Sequence, residues 1–155
     1  MTHEVTIRPA DKRDANSISQ IIKQALKENN AQDYPASVID RLLKNFAPAD
    51  VEQFLQHRQV FVAEQDQQVV GTASLDENVV RTVFIAPNMQ RQGIGRRLMA
   101  TVLEVAVSNA VTVLIVPSSI TAVAFYENLG FEVVREEMHD EEKTIYMHRE
   151  LQSVT

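Results

Sequence analysis

The stretch Gln90-Arg91-Gln92-Gly93-Ile94-Gly95-Arg96 constrains the fold more than any other, because the hydrophobic period changes across it. Before it runs an apolar, β-branched segment, Val79-Val80-Arg81-Thr82-Val83-Phe84-Ile85, closed by Ala86-Pro87-Asn88. After it, Ile94, Leu98, Val102, Val105 and Ala106 recur at helical spacing. The order is strand, short loop, glycine-bearing turn, helix. Gly93 and Gly95 have no Cβ to hold a ligand away from the backbone, so substitution at either is expected to weaken binding more than folding. The first helical amides lack intrahelical partners and lie at the positive end of the helix dipole, where a phosphate or pyrophosphate fits. Arg91, Arg96 and Arg97 add positive charge in a chain whose net charge is −6. The stretch reads as an anion cradle. It is no Walker loop, which needs Gly-Lys-Ser/Thr, and no dinucleotide fingerprint, because Leu98 stands where the third glycine belongs.

The 155 residues suit one domain with a single substantial core. The acidic balance disfavours nucleic acid held on a broad basic surface. The absence of cysteine removes disulfides, thiolate metal sites and a cysteine nucleophile. No apolar run approaches the ~18 residues of a membrane span, and the amino terminus shows no signal pattern, so a cytoplasmic protein is expected. The four histidines, His3, His57, His139 and His148, have no metal-ligand spacing, and no metal is implied.

In chain order, Val5-Thr6-Ile7 predicts a short strand ending at Arg8-Pro9. Asp11 predicts an N-cap with Asp14 three residues on, leading a helix whose stripe is Ile18, Ile21, Ile22, Ala25 and Leu26. After Asp33-Tyr34, Pro35 suits the first turn of a second helix with Val38, Ile39, Leu42, Leu43 and Phe46 inward. Pro48-Ala49-Asp50 breaks it, and Val51, Phe54 and Leu55 predict one more short helix. Val60 to Glu64 and Val69 to Leu75 predict antiparallel strands joined at Asp66-Gln67-Gln68, and Asp76-Glu77-Asn78 turns into the strand that feeds the cradle. Val111 to Val116 predicts a buried strand, followed by a helix closed by Gly130. Phe131 to Val134 and Thr144 to Met147 are the last strands. The expected class is α+β: a mixed, mostly antiparallel sheet of about seven strands with helices on both faces.

Phe125-Tyr126-Glu127-Asn128-Leu129-Gly130-Phe131 resembles the Phe-Tyr-Glu-x-x-Gly-Phe segment of the GNAT superfamily of N-acetyltransferases. Gln90 to Gly95 resembles that family's Gln/Arg-x-x-Gly-x-Gly/Ala loop, and Ile7-Arg8-Pro9-Ala10 resembles its opening strand. The similarity spans residues 4–150. It implies a single acyl-CoA N-acyltransferase domain over 1–155, with acetyl-CoA as co-substrate. It also implies that the backbone of Val83, Phe84 and Ile85 holds the pantetheine arm, at a bulge that splays this strand from the next. Gln90, Arg91, Gln92, Gly93, Ile94, Gly95 and Arg96 would hold the pyrophosphate. Tyr126 would stand near the thiolate sulfur as proton donor, although core packing beside Phe125 is the other reading of that residue. Ser119 occupies a position where relatives often carry a cofactor-contacting Asn.

Two departures bear on mechanism. An amine with a pKa near ~10.4 is neutral in only about one molecule per thousand at neutral pH, so it must lose a proton. Many relatives carry a glutamate near the position of Arg81, and this chain has no acid between Val79 and Ile85. Glu64, Glu77, His57 or a chain of waters are the alternatives. The acceptor pocket would be built from the first two helices and the last hairpin. There Asp33 and the acidic run Glu136 to Glu142 suggest a rim for a cationic amine. Two function classes stand: an acetyl-CoA-dependent N-acetyltransferase acting through a ternary complex on a small-molecule amine, and a catalytically weak acyl-CoA-binding sensor or partner-binding domain. Dimers are frequent among similar proteins, which leaves a homodimer open.

Overall fold

The computed structural model describes residues 4–151. Strand β1 (Thr6–Pro9) leads through one tight turn into α1 (Ala15–Glu28). The Asp11 carboxylate accepts from Arg13 N–H at 3.0 Å, and the Asp14 carboxylate accepts from Asp11 N–H at 2.9 Å. The reciprocal pair satisfies amides that the helix start would otherwise leave bare. Helix α2 (Ala36–Leu43) follows Pro35, which sits just outside it in extended conformation. The helix stops short of Phe46, whose ring packs edge-on against Phe54 and Phe84 at 6.0 and 6.2 Å. Pro48 starts α3 (Pro48–His57), since its missing N–H costs nothing at a first helical position.

Strands β2 (Gln59–Gln65) and β3 (Gln68–Asp76) form a hairpin, and β4 (Val79–Ile85) follows. Helix α4 (Ile94–Ser108) then crosses to β5 (Val113–Ser118), α5 (Val123–Asn128), β6 (Glu132–His139) and β7 (Glu142–Glu150). The seven strands lie in the order β1-β2-β3-β4-β5-β7-β6. Every neighbouring pair is antiparallel except β4 and β5. On one face α4 and α5 pack over a core that includes Leu98, Met99, Val102, Leu114 and Met147. On the other, α1 and α3 cover Ile18, Ile22, Leu26, Val51 and Val62. Burying Ile94, Leu98, Met99 and Val102 supplies about 6–12 kcal/mol before entropy is counted, so packing fixes where α4 begins. Val105, expected on that face, is only half-buried. Among the described residues no helix is long and apolar enough to cross a membrane.

Three strands differ clearly from their expected bounds: β6 runs on to His139 and β7 from Glu142 to Glu150, so most of the acidic run lies in the hairpin strands, and β5 is shifted. β5 starts at Val113 rather than Val111, because Val111 N–H is taken by Ala106 O at 3.0 Å in closing α4. It runs on through Pro117 and Ser118, which pair with Tyr146 and Ile145 of β7.

Candidate active site

The parallel pair opens almost as soon as it forms. β4 and β5 meet at Val79 and Ile115, with Ile115 N–H donating to Asn78 O at 2.9 Å. Backbone groups alternate sides along a strand, so the nitrogen two residues on, at Pro117, also faces β4 and has no hydrogen to give. On β4 the register against β3 slips: Thr72 faces Phe84 but Ser74 faces Arg81, so β4 carries an extra residue. Thr82 lies at φ 48, and the buried Ser74 hydroxyl reaches Arg81 O at 2.8 Å and Thr82 Oγ1 at 3.0 Å. This bulge falls one residue before the expected segment and resets the alternation of the strand. Val83 and Ile85 face the α4 core, while Phe84 packs on the α1–α3 side.

A cleft of about 1260 Å³ fills the opening. Ala86 N–H donates to Val70 O at 2.9 Å, so by alternation Phe84 turns its backbone toward β3, whereas Val83 and Ile85 present theirs to the cleft. Gln90 Nε2 caps the Ile85 carbonyl at 3.2 Å. Of the residues expected at the site, all but Gln92 line the cleft; Gln92 is exposed outside the lining.

The glycine turn has the geometry of an anion cradle. Arg91 and Gly93 both adopt positive φ, 64° and 78°. Arg97 N–H donates to Gly93 O at 3.1 Å as the first bond of α4, which leaves the amides of Ile94, Gly95 and Arg96 without helical acceptors. Arg91 and Arg96 are exposed beside them, but Arg97 turns away and bonds Val5 O. The two glycines serve different ends. A Cβ at Gly93 would meet nothing within 4 Å, so its requirement is the left-handed backbone. A Cβ at Gly95 would lie 3.0 Å from the Phe125 ring, so its requirement is close packing of α5 on α4. Phe125 in turn packs edge-on against Tyr126 at 5.1 Å.

Tyr126 is 4% exposed, lies edge-on against Phe131 as well, and lines the cleft. Burial pushes its phenol well above the ordinary value, so it stays protonated. Ser119 lines the same wall, half-buried at the end of β5.

The candidate bases do not reach the cleft. Glu64 is held by Arg8 Nε at 2.8 Å on the far side of β2, and Glu77 and His57 are exposed outside the lining. Among the described residues Glu142 is the carboxylate that lines the cleft, paired with Arg41 at 3.0 Å. The acidic rim is largely spoken for. Asp33 accepts from Thr121 at 2.7 Å, Glu141 from Ser37 at 2.7 Å, Asp140 pairs with Arg41, and Glu136 with Lys143 at 2.9 Å. Glu137 pairs with Arg135 and His139. The contacts of Ser37 and Arg41 clasp the β6–β7 hairpin onto α2. Tyr34 completes the clasp, its hydroxyl accepting from Ile120 N–H at 2.7 Å and donating to Lys143 O at 3.2 Å.

At the far end of β4 from the glycine turn stand Arg81 and Arg58, neither foreseen as a cleft residue. Arg58 lies 4.1 Å over the Phe54 ring, and the i, i+4 spacing of Phe54 and Arg58 at a helix end is the signal that was there to read.

Comparison with known proteins fits this geometry. A family model described as an acetyltransferase (GNAT) domain matches residues 21–149. None of the curated proteins compared with the chain matches it. Among solved structures, a GCN5-related N-acetyltransferase from Rhodopseudomonas palustris superposes with a TM-score of 0.90 at 18% identity, covering 97% of this chain and 99% of that one. The PaiA N-acetyltransferase from Thermoplasma acidophilum, solved in complex with coenzyme A, gives 0.82 at 14% identity, with 96% and 99% covered. The ribosomal-protein-S18-alanine N-acetyltransferase from Escherichia coli gives 0.70 at 21%, with 98% and 96% covered. Such identities speak for the fold alone, but the family model spans most of the sequence: the chain belongs to the GNAT family and is an acetyl-CoA-dependent N-acetyltransferase.

Proposed function

We propose that the chain transfers the acetyl group of acetyl-CoA directly to the amine of a small molecule, both substrates being held in the β4–β5 cleft. The observation that carries this is the splay itself. A strand edge that turns the backbone of Val83 and the N–H of Ile85 to the cleft lies between an anion cradle and Tyr126 in one cleft lining. The coenzyme A bound to the Thermoplasma neighbour supports the same ligand here. The unpartnered amides of Ile94, Gly95 and Arg96 would hold the pyrophosphate, flanked by Arg91 and Arg96. The backbone at Val83 and Ile85 would hold the pantetheine arm. Ser119 would add one hydroxyl donor.

In the transfer, the amine nitrogen attacks the thioester carbonyl, the C–N bond forms, and the C–S bond breaks. A strand amide at the bulge stabilises the oxyanion. Tyr126 faces the departing thiolate. Its raised pKa makes free tyrosinate costly, so the hydroxyl gives up its proton only as the amine's proton leaves. The clasp of Tyr34 and the β6–β7 hairpin over α2 roofs the acceptor end, which favours a small molecule over a protein terminus such as the alanine named for the Escherichia coli neighbour. A panel of amines and amino-terminal peptides, followed by acetyl-CoA-dependent thiol release, tests the reading. Turnover of small amines with none of the peptides is expected, and turnover of peptides alone would overturn the small-molecule assignment.

A further inference from the structure

Beyond the bulge the cleft wall carries two guanidinium groups, Arg58 and Arg81, and only Arg81 has a carboxylate beside it among the described residues. Arg58 follows α3 directly, and its guanidinium lies flat over Phe54, 4.1 Å from the ring centre. Its Nη1 is buried without a hydrogen-bond partner among the described residues. A buried donor left bare is costly, and a charged one more so, unless a ligand completes it. Burial lowers the guanidinium's affinity for its proton, and the neighbouring Arg81 lowers it further; Asp76 opposes them. Asp76 is itself half-exposed and stands 3.6 Å from Arg81 Nε. Two guanidinium groups therefore share this end of the cleft, and among the described residues no carboxylate is bound to Arg58.

The location assigns the charge to the acceptor rather than to acetyl-CoA. Arg81 precedes Ile85 by four residues, about 13 Å of strand from the end where the glycine turn begins. Phe46 packs edge-on against Phe54 and Phe84 within the α1–α3 core, and this anchors the Phe54 ring on which Arg58 lies. A simple cationic amine would meet two like charges here, and the acidic rim that might have drawn it is already paired. A carboxylate in the cleft would give Arg58 a charge-assisted acceptor.

We infer that the acceptor is an amino carboxylate, its carboxylate bound by Arg58 with Arg81 alongside and its amine directed toward the bulge at Thr82. The inference rests on the acetyl-transfer reading and narrows it to a substrate class. It also addresses the missing base. Cations near a bound ammonium favour its neutral form, so the arginines that hold the carboxylate help to release the proton that attack requires.

The test compares, on the full chain with saturating acetyl-CoA, the protein amino acids and ω-amino acids of increasing chain length with their carboxamides and decarboxylated amines. Thiol release is the readout. For the best acceptor, kcat/KM for the acid is expected to exceed that for the amide by about 10²-fold, since a buried charge-assisted pair is lost. In Arg58→Met, which keeps contact with Phe54, that ratio should collapse toward one, and Arg58→Lys should restore part of it. A wild-type enzyme that uses amides or decarboxylated amines as well as acids would overturn the inference, whatever the variants do. So would a preference that survives in Arg58→Met, or acetyl-CoA binding with no amino acid turned over. Calorimetry with acetyl-CoA on the same wild-type protein separates the two levels: absence of binding removes the acetyl-transfer reading itself.

Discussion

Tyr126 offers the sharpest test at the scale of a single residue. Tyr126→Phe keeps the edge-on packing against Phe125 and Phe131 and removes only the hydroxyl. If the hydroxyl acts on the departing thiolate, single-turnover acetylation falls by about 10²–10⁴-fold while acetyl-CoA affinity is kept. A wild-type rate would leave Tyr126 as a packing residue. The two glycines of the turn make a contrasting pair. Gly93→Ala places an L-residue at φ 78, costs about 1–2 kcal/mol, and should show first as weaker acetyl-CoA binding. Gly95→Ala drives a methyl into the Phe125 ring, so it should lower the melting temperature and disturb Tyr126 as well. Urea midpoints and acetyl-CoA titrations on both variants distinguish strain in the cradle from a packing fault behind it. The sequence shows that both positions are glycine, but the ring that closes on Gly95 lies thirty residues away and becomes visible only once α5 is packed.

Among the elements, what the sequence made legible and what it hid divide along physical lines. The amphipathic helices and the β-branched strands were legible because burial on one face imposes a period. The sheet order, the opening beside β5 and the phase reset in β4 were not, because they arise between strands. Pro117 and the pair Ser74 and Thr82 produce that opening, yet each reads locally as an ordinary loop or strand residue. Arg58 was legible only as an i, i+4 partner of Phe54; its place in the cleft wall comes from the α3–β2 junction and from no motif. The N-terminal elements are tied by Arg8, which forks onto Asp14 with both contacts at 2.9 Å and reaches Glu64 at 2.8 Å. The Arg8 hydrogen bonds hold the Asp14 carboxyl below its ordinary value, against the opposing effect of burial. A depressed carboxyl pKa stabilises the fold fully above the unfolded value near ~3.9, and that stability is lost as pH falls through the folded value. Asp14→Asn should cost about 1–3 kcal/mol at pH 7. The difference from wild type should shrink on acidification, as measured by urea midpoints at neutral and acid pH.

Across the whole molecule, one design emerges from these parts. The core between α4 and the sheet fixes an anion cradle at one end of a strand, the bulge and Pro117 open the sheet beside it, and the α2–hairpin clasp roofs the other end. The net negative charge is therefore a poor guide to the cleft, whose walls carry Arg58, Arg81, Arg91 and Arg96 and, among the described residues, the single carboxylate Glu142. Whether this opening binds acetyl-CoA is decided by calorimetric titration of the full chain with acetyl-CoA, paired with a melting curve. Saturable heat at one ligand per chain is expected. At about 100 times the Kd, native-state binding should add about 2.7 kcal/mol, raising Tm by about 5–10 °C. No heat and an unchanged Tm with millimolar acetyl-CoA would contradict it.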